Sequence, residues 1–414
     1  MARVPNTLTQ LDKTLHAQQR RVLAHGFTDR ALGTYEKIIY SHCLNLCTKI
    51  QDLDAQDMGW TAAQNMSEWC NYLGFDMMLE IIYDAKSEMV NKPDNRQLLD
   101  MIAISNIRVG TIAPLYKYKG SFFDFLVFRS AIKARYKFIG FIKNLLGEKS
   151  KEVRSPTKRT SVYDILMSAR DGEGLTPTEI AAESTNLIVA GFDTTATSIS
   201  ACFFYLSRYP AVYEKASQEV RTQFSSIRDI GSKAAINRCT YLRACLTESI
   251  RMSPAISAAP TREVEAGGIM VDGYSLPPGC DVGTGIYAIH HNRRYYPDPF
   301  TFRPERWIVG DVADGLSCSA DVDTAYSAFM AFGKGSRTCI GRPLAMQESM
   351  TCMAMILYLF DFRKAKGDTG NIGGGVVGAE FGRHRPFEYQ LTDHITAVCD
   401  GPMLQFHKRN TEEN

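Results

Sequence analysis

The chain has 414 residues, 45% apolar and 22% charged, with 47 basic against 45 acidic side chains and a formal charge of +2. These are ordinary globular values for a chain long enough to bury a sizeable core, and no concentrated basic face marks a nucleic-acid partner. Eleven cysteines are scattered without a C-x-x-C pair or a His/Cys pair at zinc spacing. That pattern argues against a zinc module or a secreted disulfide framework and for reduced, buried thiols. No run of about 18 apolar residues encodes a membrane span.

Along the chain, apolar positions recur at three- and four-residue spacing over 9–26, 29–52, 65–90, 95–110 and 122–149, which predicts helices. The stretch 143–159, "KNLLGEKSKEVRSPTKR", mixes charge signs and contains Ser-Pro, the pattern of a solvated loop. Thr176, Pro177 and Glu179 then form a capping box with proline at the first helical position. Nothing stops that helix before Pro210, and "IVAG" and "ISACFFYL" make it apolar on most sides. Such a rod should run through the centre of the molecule. Helices at 211–226 and 240–252 follow.

From residue 262 the texture changes to short β-branched runs separated by Gly and Pro, which predicts a small antiparallel sheet to about residue 290. A proline-punctuated segment (297–307), a glycine-rich loop and a helix from about Pro343 to Phe362 come next. The glycine run at 373–378 reads as a flexible insertion, and "YQLTDHITAVCDGPMLQFHK" alternates like a terminal hairpin.

The loop "FGKGSRTCIGRP" (332–343) holds a single cysteine, Cys339. Its glycines lack the P-loop spacing. Gly335 and Gly341 let backbone N–H groups converge on the sulfur, and the following helix adds partial positive charge at its N-terminus. Both influences favour a thiolate, the form an axial ligand to iron needs.

Phe332, Gly333, Gly335, Arg337, Cys339, Gly341 and Ala345 reproduce F-G-x-G-x-R-x-C-x-G-x-x-x-A, so this chain resembles the cytochrome P-450 monooxygenases, whose haem-binding signature this is. Three further segments stand in that family's order. "AGFDTT" (190–195) interrupts the long helix with residues of low helical propensity, the sort of local violation expected at a functional site. The resemblance implies that Ala190 and Gly191 pass over the haem face. It also implies that Thr194 hydrogen-bonds dioxygen at the iron and that Asp193 relays protons from solvent. Taken alone, Thr194 would simply bond back to a helix carbonyl. Glu248 and Arg251 of "ESIR", with Arg306 of "FRPERW", are implied to form a buried structural network. Arg262 and Arg337, together with His16 and Arg20 near the start, are implied to meet the haem propionates. For the last two, a solvated basic helix is the competing reading. Lys334 would lie where an acidic reductase docks.

The implied fold is mainly α with a minor antiparallel sheet, the haem-thiolate monooxygenase (cytochrome P-450) fold, as a single domain over 1–414. Its regions are 1–261, mostly helical; 262–290, the small sheet; 291–362, the haem-ligand region and following helix; and 363–414, the glycine-rich loop and C-terminal hairpin. Eukaryotic members begin with a membrane anchor and early sheet strands, whereas Met1 here stands just before the haem-edge helix. The expected architecture therefore lacks the N-terminal anchor and first sheet strands, with an exposed sheet edge and part of the substrate lid gone.

"TYLRACLTESIRMSP" and "YYPDPFTFRPERW" look most like fungal secondary-metabolism members. The resemblance implies haem b (iron protoporphyrin IX) on a Cys339 thiolate, O2, and electrons from NADPH through a cytochrome reductase. It further implies a hydrophobic substrate, a monomer, and association with the cytoplasmic side of the endoplasmic reticulum membrane. Hydroxylation or epoxidation of an apolar natural product is the expected reaction. An O2-independent isomerase or dehydratase, and a non-catalytic haem-binding remnant, are the alternatives. The segments 188–192, 255–260 and 398–401 are the expected pocket lining.

Overall fold

Thr176 opens the helix around which the molecule is organised. In the computed structural model, Thr176 Oγ1 accepts from Glu179 N–H while the Glu179 carboxylate accepts from Thr176 N–H at 2.7 Å, which closes the expected capping box. The helix runs Pro177–Leu206, about 45 Å at 1.5 Å per residue. Residues 4–115, 118–149, 161–168, 175–310 and 315–410 are described; most of the loop expected at 143–159 lies outside them. Among the described residues this helix alone is long and apolar enough to cross a membrane, and two-thirds of its most apolar stretch is buried in the protein.

The central helix packs on the helix Met66–Tyr83 at very close range. A Cβ on Gly74 would stand 3.0 Å from the carbonyl oxygen of Phe192, and one on Gly191 would stand 2.4 Å from Met78 Cε. The Phe75 and Phe192 rings meet edge to face at 5.5 Å. Adding a methyl at either glycine would force overpacking, which typically costs about 1–3 kcal/mol. Helix packing against Met78 thus gives Gly191 a structural reason of its own.

Other helices follow the apolar spacing, with ends set by local chemistry. Lys13–Ala24 is capped by Asp12, Asp29–Gln51 by Thr28, and Met66–Tyr83 by Asn65. The last of these stops at Asp84, which adopts φ 54, rather than continuing to residue 90. Gln97–Ile112 is one helix, whereas the segment expected at 122–149 breaks at Phe128 into Phe122–Val127 and Arg129–Lys149. Pro210–Gln223 and Thr240–Met252 match expectation.

The sheets are less local. Met403–Lys408 pairs with Phe360–Lys364, Trp60–Thr61 and Gln64–Asn65, and Ala55–Asp57 completes this five-stranded antiparallel sheet. The helix that starts at Arg342 therefore ends at Leu359, and its expected last turn is a strand. Only Leu391–His394 and Thr396–Cys399 form the expected terminal hairpin. Region 262–290 contains two separate two-stranded pairs, followed by a short helix, Ile286–His290, instead of more strand.

The first half of the glycine run, 373–375, is close-packed, whereas Val376 and Val377 are exposed. A Cβ on Gly374 would lie 2.5 Å from Pro386 O and one on Gly375 2.5 Å from Arg385 O, while Gly375 N–H donates to Arg385 O at 3.0 Å.

Candidate active site

The loop before the helix Arg342–Leu359 is turned by Gly333 (φ 68) and Gly335 (φ 74), conformations that L side chains rarely adopt. Cys339 N–H donates to Phe332 O at 2.7 Å, and Thr338 Oγ1 donates to the Phe332 and Gly333 carbonyls. Phe332 packs on Phe329 at 6.1 Å and lies under the Arg342 guanidinium at 5.4 Å. These contacts fix Cys339 at the helix entrance.

The thiol is nevertheless held above its ordinary value. Burial by the surrounding protein pushes it up, while the N–H groups of Gly341 and Arg342 and the charges of Arg20 and Arg342 pull down without reversing the shift. The expected thiolate-favouring influences are present, but desolvation outweighs them in the protein alone.

Around this loop, four basic residues from distant parts of the chain converge. His16 is 4% exposed, and its pKa is lowered by burial and by the charges of Arg337 and Arg20. Arg337 is lowered by burial and by Arg262, and it donates from Nη2 to the Gln10 carbonyl at 2.6 Å. Arg262 donates only to the Pro260 and Thr261 carbonyls, at 3.2 and 2.7 Å. Among the described residues no carboxylate pairs with Arg20, Arg262 or Arg337, so three like charges gather without a counter-ion. The helix Lys13–Ala24 is largely exposed, but His16 on it is buried and Arg20 half-buried.

This donor set fits iron protoporphyrin IX. Cys339 offers a free thiol beside these cations, no group of three or more ligating His, Cys, Asp or Glu side chains occurs among the described residues, and the uncompensated cations suit carboxylates.

On the central helix, Ala190 is exposed between half-buried Val189 and Gly191, and Thr194 is half-buried. Thr194 Oγ1 donates to Ala190 O at 2.8 Å, so its hydroxyl is held against the helix. Asp193 turns elsewhere. Its Oδ2 accepts from Thr396 Oγ1 at 2.5 Å and from Asn106 Nδ2 at 3.4 Å, and burial raises its pKa to about 6 against the pull of the Thr396 bond. No side-chain bond joins Asp193 to Thr194, as expected for adjacent helical positions. Next to the expected pocket segments, Ala397 N–H donates to Ala255 O at 2.7 Å, and Thr197 Oγ1 donates to Ala397 O at 3.3 Å.

The structural network forms fully. Arg251 donates to both oxygens of Glu248 at 2.8 and 2.9 Å, and Arg306 Nε donates to Oε1 at 2.8 Å. Burial alone would raise the Glu248 carboxyl, but Arg251 and Arg306 hold it at about 2.

Three residues that the sequence analysis did not assign complete this picture. Trp307 Nε1 donates to Glu248 Oε2 at 2.9 Å, a role hinted at only by its place after Arg306. His290 is fully buried, with Nδ1 against Arg251 O at 3.0 Å and Nε2 accepting from Met330 N–H at 2.8 Å. Burial and Arg251 lower its pKa to about 4, so it stays neutral while it ties the charge network to the segment that enters the cysteine loop. Glu348 is buried, accepts from Thr195 Oγ1 at 3.3 Å, and is raised by burial to about 8. Neither His290 nor Glu348 carried a distinguishing sequence signal.

Comparison with known proteins agrees with this site. The cytochrome P450 family profile matches residues 6–375. The chain is 40% identical over 412 residues to a cytochrome P450 monooxygenase of Gibberella zeae, covering 99% of this chain and 93% of that protein. It is 39% identical to the cytochrome P450 monooxygenase AKT7 of Alternaria alternata (98% and 78% covered) and 38% identical to poxM of Penicillium oxalicum (98% and 75%). The cytochrome P450DA haem domain shares the fold with a TM-score of 0.75 at 17% identity, covering 98% of this chain and 80% of that one. A cysteine cradled at a helix entrance, beside cations that lack a counter-ion and within this fold, makes the chain a member of the cytochrome P450 family of haem monooxygenases.

Proposed function

We propose that this protein inserts one oxygen atom from O2 into an apolar natural product, by hydroxylation or epoxidation, in fungal secondary metabolism. Electrons would come from NADPH through a cytochrome reductase that docks near Lys334, and the protein would act as a monomer on the cytoplasmic side of the endoplasmic reticulum membrane. The observation that carries the reading is the uncompensated basic set His16, Arg20, Arg262 and Arg337 beside Cys339.

Haem b held through Cys339 supplies the oxygen chemistry when bound. The chain's own residues supply the rest. Arg20, Arg262 and Arg337 meet the carboxylates of the group, and neutral His16 adds a hydrogen-bonding nitrogen. Phe332 and Gly341 shape the cysteine loop, and Ala190 leaves the central helix without bulk at its exposed position. Asp193, with a pKa of about 6, can take and release a proton at Oδ2 near neutral pH. Thr194 can turn its hydroxyl from the Ala190 carbonyl toward a bound ligand. An O2-independent isomerase has no specific support, since the acid–threonine pair is present at 193–194.

The test is turnover under 18O2 with NADPH, a fungal reductase and candidate apolar metabolites. One labelled atom in the product, with none from labelled water, is the expected outcome. Conversion that proceeds without O2 would contradict it.

A further inference from the structure

A cavity of about 400 Å3 opens against the outer side of the cysteine loop: Phe332 and Arg342 line it, whereas Cys339, Ala190 and Asp193 do not. It lies between the short helix Lys233–Ile236, the helix Thr240–Met252, the segment leading into the loop, and the helix Arg342–Leu359. Its volume falls in the range of small-molecule sites.

The lining is amphipathic and of one sign. Lys233, Arg243 and Arg342 contribute cations, and no Asp or Glu lines the cavity. Among the described residues the Lys233 ammonium pairs only with the exposed Asp29, at 2.8 Å, while the Lys233 backbone N–H donates to Glu36 Oε1 at 3.3 Å. Arg243 Nη2 donates to Asn237 Oδ1 at 2.6 Å, and Arg342 rests on the Phe332 ring. Among the described residues, neither arginine meets a carboxylate. A second observation points the same way: Gln347, 5% exposed, lines the cavity, and its Oε1 has no hydrogen-bond partner. Buried polar atoms are rarely left so. Ile250, Phe329 and Met346 give the wall an apolar part beside polar Asn237, Thr247 and Tyr326.

We infer that this cavity is a second small-molecule site, which takes an amphipathic carboxylate with its head on Arg243 and Arg342 and its chain on the apolar wall. Planar guanidinium forks match a carboxylate bidentately, and the paired bond is strongest where water is partly excluded. The inference rests on the cavity alone and does not depend on the oxygenation reading. The same carboxylate could instead come from an acidic side chain of a docking protein, and the probes below separate the two sources.

The experiment is calorimetric titration of the haem-loaded protein with decanoate, decanol and decylamine, repeated on Arg243→Gln and Met346→Trp. Decanoate should saturate one site and bind at least tenfold more tightly than the alcohol or the amine. Arg243→Gln should weaken decanoate at least tenfold while leaving decanol unchanged. Met346→Trp, which fills the cavity and keeps both arginines, should abolish decanoate binding, so either variant decides if the other fails to fold. Equal affinity for decanoate and decanol, or decanoate affinity retained in a folded variant, would overturn the assignment. So would the absence of any decanoate binding, which would leave the carboxylate to a protein partner.

Discussion

Two basic clusters in this molecule use the same side chains to opposite ends. Arg251 and Arg306 share one buried carboxylate, Glu248, whose oxygens also take the Trp307 indole N–H and the Arg303 backbone N–H. His16, Arg20, Arg262 and Arg337 gather without any acid among the described residues, and burial together with the neighbouring charges lowers the pKa of His16 and Arg337. A compensated buried cluster holds a fold together, because removing one member strands the others. An uncompensated one is a place where an anion from outside the chain belongs. The difference lies in the counter-charge, not in the arginines.

The largest expected effect comes from breaking the compensated cluster. Glu248→Gln leaves two buried guanidinium groups without their anion and should cost roughly 3–5 kcal/mol, read as lost soluble protein or a collapsed denaturation midpoint. The pH dependence has the same origin. Glu248 is held at about 2 in the folded chain, below the ordinary carboxylate value of about 4.3. Its stabilisation is therefore complete above about pH 4.3 and is lost as pH falls toward 2, which acid titration of wild type should reveal.

Asp193 is the opposite case, a carboxyl with hydrogen-bond donors but no cation. Its folded value of about 6 lies above the ordinary value, so the folded chain keeps a proton that the unfolded chain gives up between about pH 4 and 6. Stability from this group falls as pH rises through that window. Asp193→Asn should then raise stability at pH 7.5 by roughly 1–3 kcal/mol in thermal melts, while lowering turnover about 100-fold if the carboxyl moves a proton. A variant with unchanged turnover would remove that role.

These contrasts also explain what the sequence made legible. The Thr176–Glu179 capping box and the helix Thr240–Met252 depend on neighbours three and four residues apart, and they were readable for that reason. The signature around Cys339 is likewise contiguous. The close approach of Met78 to Gly191 is invisible in the sequence because the two lie more than a hundred positions apart. His290 has no motif of its own, and its bridge exists only once Arg251 and Met330 are folded together. The short strands between residues 55 and 65 were missed because they are completed by Met403–Lys408 at the far end of the chain. Convergence of residues 16, 20, 262 and 337 was implied by resemblance, whereas the absence of a counter-ion is visible only in three dimensions.

Smaller effects sharpen the comparison. Arg262→Ala removes one charge from the uncompensated set, so the haem-free protein should change in stability by no more than about 0.5 kcal/mol. Haem release to apomyoglobin should nevertheless quicken severalfold. A large loss of stability in the haem-free chain would mean that Arg262 belongs to the fold instead. Glu348→Gln should do least. With its carboxyl raised to about 8, Glu348 is already neutral at pH 7, and the amide is nearly isosteric. Equilibrium unfolding should differ from wild type by less than about 1 kcal/mol.

The most direct test of the central claim is the absorption spectrum of the purified, haem-loaded protein after reduction under carbon monoxide. Cys339 as the thiolate ligand predicts a strongly red-shifted Soret band that disappears in Cys339→Ser. A wild-type spectrum without that band, or one that survives the serine substitution, would contradict the account.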